Sequence, residues 1–339
     1  MLLRLFSPWN FFFSFILFGS ILSGSLSPHG LTLWLTMEIN MYTFIPLMLS
    51  STASTNRKEA AMKYLLAQAV GSIILLMSLI DLQVNFFPSL LSSSMLVTSG
   101  LLKMGTAPLH HWFPSVMGSL SWPMCTLLLT IQKILPLTLI FWTLQPNSFP
   151  LLSLIFFSAS MSTIIGGWGG MNQSMLRPLL AYSSIGHMGW MLASATISKS
   201  LMWIYFFIYL INVIPLVTTL SFTIKTSSTE LKTLLLLSFK QRTIISLLFF
   251  SLGGLPPLLG FFPKLLLFSF LASSAPFLTL FLIMGSLMNL YYYFKFTFII
   301  LQNKPNIQNN LTPSNLKSMI LSLLSMVTLF FFILPWLLI

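Results

Sequence analysis

Charge is the scarcest commodity in this 339-residue chain: 16 Lys and Arg and 4 Asp and Glu make up 6% of it. A soluble domain carries roughly 25% charged residues, so a large soluble enzyme is excluded. Cysteine is almost absent. Cys125 is the single one, which excludes an intramolecular disulfide and a cysteine-ligated cluster within the chain. The 4 histidines are scattered, and only His110 and His111 are adjacent. Neighbours on a helix point about 100° apart, so that pair makes a poor clamp for a metal or haem. No small-residue cleavage site follows the first apolar segment, which therefore reads as retained. The net charge of +12 does not point to nucleic acid, because the basic residues are spread singly between apolar segments, as topology signals are.

Apolar length is what the chain has in abundance, with 56% hydrophobic residues. A membrane span needs about 20 of them. Breaks at Pro, Gly and polar clusters divide the chain into eleven segments: 8–26, 30–50, 59–80, 92–112, 122–144, 149–170, 174–195, 199–222, 242–271, 276–300 and 317–338. They predict an all-α polytopic membrane protein, one transmembrane domain over 1–339. Asn56 stands three residues before Glu59, as a helix N-cap does, and Glu59 with Lys63 forms an i,i+4 pair. Alternating the spans from the N-terminus puts Arg4, Arg57, Lys58, Arg177, Lys225, Lys232, Lys240, Arg242, Lys304 and Lys317 on one side and Lys199 alone on the other. By the positive-inside rule the N-terminus faces the positive side, cytoplasm or matrix, and the C-terminus the opposite one.

Against this background four charges stand out: Glu38, Lys103, Lys133 and Lys264. A charge at mid-bilayer costs ~2.5–3.5 kcal/mol on the insertion scale, which makes each a candidate for an ion or proton path. Lys103 and Lys133 lie about 11 residues into their segments, roughly 16 Å deep at the helical rise. Glu38 lies about 8 residues into the second segment. Snorkelling is the bland alternative for Lys264 and Glu38, and the better reading for Lys63 and Lys295, which lie near segment ends.

Two segments carry breakers near their middles. Gly105-x-x-Pro108-Leu109-x-x-x-Phe113-Pro114 and Gly254-x-x-Pro257-Leu258-x-x-x-Phe262-Pro263 share five identities in ten positions at a constant offset of 149. Gly253 and Pro256 belong to the second break as well. The same offset carries Glu38 onto His187. The two broken segments are the fourth and the ninth, so they run in opposite directions. A repeat that returns upside down is a mark of secondary transporters. An ordinary proline kink is the competing explanation for each break alone. Pro removes an N–H and Gly permits an irregular turn, and the freed backbone groups are tolerable at membrane depth only against protein or a wet cavity.

The buried charges suggest a mechanism. Desolvation disfavours the charged form of an ammonium and a nearby carboxylate favours it. A row of lysines with one glutamate therefore holds protons whose affinities depend on one another. Ser99, Thr106, Gln132, Ser183 and Ser184 are placed to hold bridging water.

Several stretches together resemble a known family: Met37-Glu-Ile-Asn-Met41, Glu59-Ala-Ala-Met-Lys-Tyr64, Leu102-Lys-Met-Gly-Thr-Ala-Pro108, Gln132-Lys133, Gly166-Gly-Trp-Gly-Gly-Met-Asn-Gln173, Ala181-Tyr-Ser-Ser-Ile-Gly-His-Met-Gly-Trp190 and Ser251-Leu-Gly-Gly-Leu-Pro-Pro257. From about residue 30 to residue 300 the chain resembles the subunit-2 family of mitochondrial NADH dehydrogenase, antiporter-like membrane subunits of respiratory complex I. The resemblance implies two inverted five-helix repeats with two discontinuous helices. The first would span about 8–144 and the second about 149–300, with a C-terminal helix at about 317–338. It implies proton-translocation roles for Glu38, Lys103, Lys133 and Lys264, with His187 lining the same path. No catalytic, metal or cofactor-binding residue is expected in the chain itself. NADH, FMN, iron–sulfur clusters and ubiquinone would belong to partner subunits. The implied partners are other membrane subunits of complex I, adjacent antiporter-like ones included, and lipids, with no nucleic acid. The implied location is the mitochondrial inner membrane, N-terminus on the matrix side. Larger relatives carry a further charge in the helix matching the tenth segment, where this chain has Asn289. Two other readings fit the charges: a stand-alone cation/proton antiporter, and a structural membrane spacer whose charges only position its neighbours.

Overall fold

The computed structural model describes residues 8–50, 55–144, 149–223, 234, 239–256 and 258–302, with backbone alone at 149 and 240. Among the described residues every regular element is a helix. Helices occupy each of the first ten expected segments, while segment 317–338 and Pro257 lie outside the described residues. Among the described residues five stretches are individually long and apolar enough to cross a membrane: Thr55–Val84, Trp122–Thr143, Pro150–Met171, Lys199–Thr223 and Pro276–Gln302.

The chain divides into two units, residues 1–162 and 163–339. The first unit holds α1 (Pro8–Ser25), α2 (Gly30–Leu49), α3 (Thr55–Val84), α4 (Ser89–Met104), α5 (Trp112–Ser119), α6 (Trp122–Leu129) and α7 (Ile134–Thr143). Within it α1 packs on α2, α2 on α3, α3 on α4 and α5, and α4 on α7. Helix α3 shows why these helices pack as they do. Tyr64, Gln68, Gly71, Ser72, Leu75 and Leu79 recur at helical spacing and are buried. Met62, Leu66, Val70, Ile73 and Met77 face outward. The outer face is as apolar as lipid tails, so hydrophobicity does not drive the packing. Small residues allow close approach, and polar ones find partners inside.

Helix α3 begins at Thr55, which corrects the expectation that Asn56 caps it: Asn56 stands inside the first turn. The Glu59–Lys63 pair does form, at 2.6 Å on the exposed surface. At the other end Asp81, which the sequence reading passed over, is buried. One of its oxygens accepts the Phe87 N–H at 2.8 Å and closes the turn through Asn85, where φ is +57°. Its second oxygen has no hydrogen-bond partner among the described residues.

The second unit holds the end of α8 (Phe149–Met171), which spans the division, with α9 (Leu176–Ala195), α10 (Lys199–Thr223), α11 (Phe239–Gly253), α12 (Phe261–Ser274) and α13 (Pro276–Gln302). Here α9 packs on α10 and α13, α11 on α10 and α13, and α12 on α10 and α13. Glycines set the closest approaches. A Cβ on Gly166 would lie 2.6 Å from the Gly186 nitrogen, and one on Gly285 would lie 2.5 Å from the Thr163 carbonyl. Arg177 and Arg242, read from sequence as loop charges, are buried near the first turns of α9 and α11, and Arg242 donates to the Ile300 carbonyl at 3.2 Å.

Candidate functional site

Both broken segments end their first half in the same way. Helix α4 stops at Met104 and α11 at Gly253. The next residue, Gly105 or Gly254, takes a left-handed backbone, φ +68° and +79°. Thr106 N then donates to Leu101 O at 3.1 Å and Gly105 N to Leu102 O at 3.1 Å. In the second break Leu255 N donates to Phe250 O at 3.3 Å and Gly254 N to Ser251 O at 3.2 Å. This is the Schellman ending, which glycine permits because it carries no Cβ. Pro108 lies in the first connecting loop and Pro256 in the second. The second halves, α5 and α12, begin at Trp112 and Phe261. The helix ends, the left-handed glycines, the paired hydrogen bonds and the restarts recur 149 residues on, and Pro257, the counterpart of Pro108, lies outside the described residues.

The carbonyls freed at the two breaks are satisfied differently. At the first, the Trp112 indole donates to Leu102 O at 3.1 Å and the Gln68 amide to Lys103 O at 3.1 Å. At the second, the Lys264 ammonium itself donates to Gly253 O at 2.8 Å. A cation at the last carbonyls of a helix is held by their aligned dipoles. Lys264 is therefore buried and bonded, which corrects the snorkelling alternative. The space is tight: a Cβ on Gly254 would lie 2.9 Å from the Lys264 nitrogen. Gly254→Ala would combine that clash with about 1–2 kcal/mol of left-handed backbone cost. It is expected to lower the apparent melting temperature of the protein, measured by thermal unfolding in detergent.

Because neutral donors satisfy the first break, Lys103 is left to face Glu38. Its nitrogen lies 3.7 Å from Glu38 Oε1, with side chains 3% and 14% exposed. Among the described residues that carboxylate oxygen makes no hydrogen bond, and its ion-pair partner is Lys103. Glu38 does not snorkel; it is turned inward to an amine.

Lys133 occupies a third interruption. Within the expected segment 122–144, α6 ends at Leu129, a 3-10 turn covers Ile131–Lys133, and α7 starts at Ile134. The physical reason is Pro136, which has no N–H to offer the carbonyl four residues back. Lys133 is buried, its nitrogen 5.4 Å from the Phe113 ring centroid on α5, within reach of a cation–π attraction. Its neighbour Gln132 accepts a hydrogen bond from the Tyr64 hydroxyl at 3.2 Å and donates to Asn40 Oδ1 at 2.7 Å.

In the second unit His187 Nδ1 lies 3.0 Å from the Tyr205 hydroxyl, and its ring centroid is 5.2 Å from that of Tyr209. Glu38 and His187, matched by the offset, thus have unlike surroundings: an amine for one, phenols for the other. Gly186 makes room for Asn289, since a Cβ there would lie 2.6 Å from the Asn289 amide nitrogen. Asn289 is buried, and among the described residues its Oδ1 has no hydrogen-bond partner.

The expected water-holding hydroxyls are engaged locally. Ser99, Thr106, Ser183 and Ser184 each donate to a carbonyl three to five residues back, which leaves them only acceptor capacity. Elements are linked by Asn40, Tyr64, Gln68 and Gln132 in the first unit and by His187 with Tyr205 in the second, where Ser183 also meets Tyr292 and Tyr293 and Ser184 meets Tyr209. Asn40 and Tyr64 stood inside quoted motifs, but no local signal marked them as bridges.

The family description "NADH:quinone oxidoreductase/Mrp antiporter, TM" matches residues 27–289. NADH-ubiquinone oxidoreductase chain 2 of Lumbricus terrestris is 39% identical over 295 residues, covering 86% of this chain and 86% of its own. The protein of that name from Locusta migratoria is 36% identical over 335 residues, with 94% and 93% covered. In structure, a chain of respiratory complex I from Thermus thermophilus matches with a TM-score of 0.82 at 22% identity, over 94% of this chain and 76% of that one.

Proposed function

This chain belongs to the NADH:quinone oxidoreductase/Mrp antiporter transmembrane family, and we propose that it is a proton-translocating membrane-arm subunit of respiratory complex I. In this reading Glu38, Lys103, Lys133 and Lys264 relay protons, with His187 on the same path, while electron transfer elsewhere in the assembly drives them. The observation that carries it is the buried Glu38–Lys103 pair beside the first break. Taking two charges out of water costs several kcal/mol each, a cost that a mere spacer has no reason to carry. A proton gained or lost by one member changes the affinity of the other, which is the elementary step of a relay.

Finer points extend the reading. Two inverted five-helix repeats are supported by the shared Schellman ending and the constant offset of 149. The chain would bind no NADH, flavin, iron–sulfur cluster or quinone and would hold no redox-catalytic residue, so the enzyme class belongs to the assembly. Its partners would be neighbouring membrane subunits and lipids, with no nucleic acid, and its place the mitochondrial inner membrane. The biased loop charges support an N-terminus on the matrix side and a C-terminus on the intermembrane-space side. The names of the relatives favour this reading over a stand-alone antiporter.

Glu38→Gln in the assembled complex is the test. It keeps the shape and removes the charge. The proton-to-electron ratio of reconstituted complex is expected to fall. A normal ratio with normal turnover would sink the proposal, and defective assembly with normal turnover of whatever assembles would favour the spacer. Ion exchange by the purified single chain in liposomes would favour the stand-alone antiporter.

A further inference from the structure

Helix α3 carries no charge between Lys63 and Asp81, yet its buried stripe touches the segments that bear both mid-depth lysines of the first unit. Tyr64, Gln68 and Gly71 stand at i, i+4 and i+7, one above another on one face. Gln68 Nε2 donates to the Lys103 carbonyl at 3.1 Å. Gly71 leaves a gap that the Lys103 stem fills: a Cβ there would lie 3.0 Å from Lys103 Cγ and 3.4 Å from Cε. Tyr64 donates to Gln132, next to Lys133, and Gln132 donates on to Asn40, two residues from Glu38. The Tyr64 ring is wedged edge-on between Phe44 and Trp112, with centroids 5.2 and 5.9 Å away.

We infer that the Tyr64–Gln68–Gly71 stripe of α3 is the positioning element of the proton-relay groups: Gln68 and Gly71 aim the Lys103 ammonium at Glu38, and Tyr64 holds the Lys133 turn in register with α2 through Gln132 and Asn40. The inference rests on the proton-translocation reading of those groups. Its physical basis is the left-handed turn at Gly105. Had α4 continued, the Lys103 carbonyl would have accepted the N–H four residues on. The break removes that donor, and a buried carbonyl without one is costly. At the second break the Lys264 ammonium caps the next carbonyl along, Gly253 O, the counterpart of Met104. At the first, a neutral amide caps the Lys103 carbonyl, and the ammonium faces the carboxylate. No residue of the stripe exchanges a proton in this scheme; each acts through a lysine-bearing segment.

The experiment uses assembled complex carrying Gln68→Met, Glu38→Gln, Lys103→Met or the Gln68→Met/Lys103→Met double substitution. The readouts are the proton-to-electron ratio, the pH profile of coupled turnover and the amount of complex on native gels. Gln68→Met is expected to assemble, to lower coupled turnover roughly three- to tenfold, as loss of one buried hydrogen bond would, and to displace the pH profile. In the Lys103→Met background it should add no further loss, because its effect passes through that lysine. A normal ratio and pH profile in assembled Gln68→Met overturns the inference, and so does an undiminished further loss in the Lys103→Met background. Should Gln68→Met fail to assemble, Tyr64→Phe removes one oxygen from the same stripe, and a normal profile there overturns it. Glu38→Gln separates the two possible failures. If it lowers the ratio and Gln68→Met does not, the positioning role falls and the functional reading stands; if neither lowers it, both fall.

Discussion

Lys103→Met is expected to reduce coupled proton translocation about tenfold or more per complex assembled, with less complex on native gels. Methionine matches the lysine stem in length and fills the gap that Gly71 leaves on α3, so packing there survives. What goes is the ammonium 3.7 Å from Glu38 Oε1. Removing one partner of a buried pair costs about 3–5 kcal/mol, because the other charge is left uncompensated. Glu38 is then poised differently, and the step in which one group's proton sets the other's affinity disappears. Lys103→Met and Glu38→Gln should therefore be strongly non-additive, the double substitution no worse than the poorer single one. The measurement is proton uptake per electron in reconstituted vesicles. A normal ratio in Lys103→Met, or two losses that simply add, would remove the pair from the mechanism.

The Glu38–Lys103 pair also illustrates what the amino-acid sequence discloses in a membrane chain. Charges are so scarce that each buried one announces itself, and Gly and Pro punctuate helices locally. Glu38, Lys103, Lys133, Lys264 and the breaks at Gly105 and Gly254 were therefore legible, and the offset of 149 gave the landmarks of the second break from the first. The bridging residues were not. Gln68, Asn40, Tyr64 and Tyr205 are ordinary polar side chains whose meaning depends on which face of one helix meets which neighbour, and no local pattern encodes that. The 3-10 turn at Lys133 sat between these cases. Its cause, Pro136, was visible, but the missing hydrogen bond falls four residues upstream, so the kink appears away from the residue that produces it. The burial of Arg177 and Arg242 was hidden for a related reason. A basic residue at a segment boundary obeys the same topology rule whether it faces water or a carbonyl of the next helix, as Arg242 does at Ile300.

Gly260→Ala is expected to have the other large effect, on assembly. Its backbone is right-handed, φ −68° and ψ −13°, which alanine adopts without strain, so any loss must be steric. A Cβ there would fall on the Ser251 carbonyl oxygen, with the Asn212 amide 3.5 Å away. That carbonyl cannot step aside, because it accepts the Gly254 N–H inside the Schellman ending. The loop from Gly254 to Gly260 must move instead. Lys264 lies one helical turn beyond Gly260, and its bond to Gly253 O depends on the same spacing. Overpacking at a site that cannot relax costs about 1–3 kcal/mol, occasionally more. The upper figure lowers the folded population of the chain more than a hundredfold relative to its unfolded form. The expected result is little or no assembled complex on native gels, with any remainder poorly coupled. Gly19→Ala is the matched control, since nothing lies within 4 Å of a Cβ at that position. Equal amounts of fully coupled complex from the two substitutions would mean that the second break is not closed by the Gly260–Ser251 contact, and would remove the geometric basis for placing Lys264 on a helix terminus.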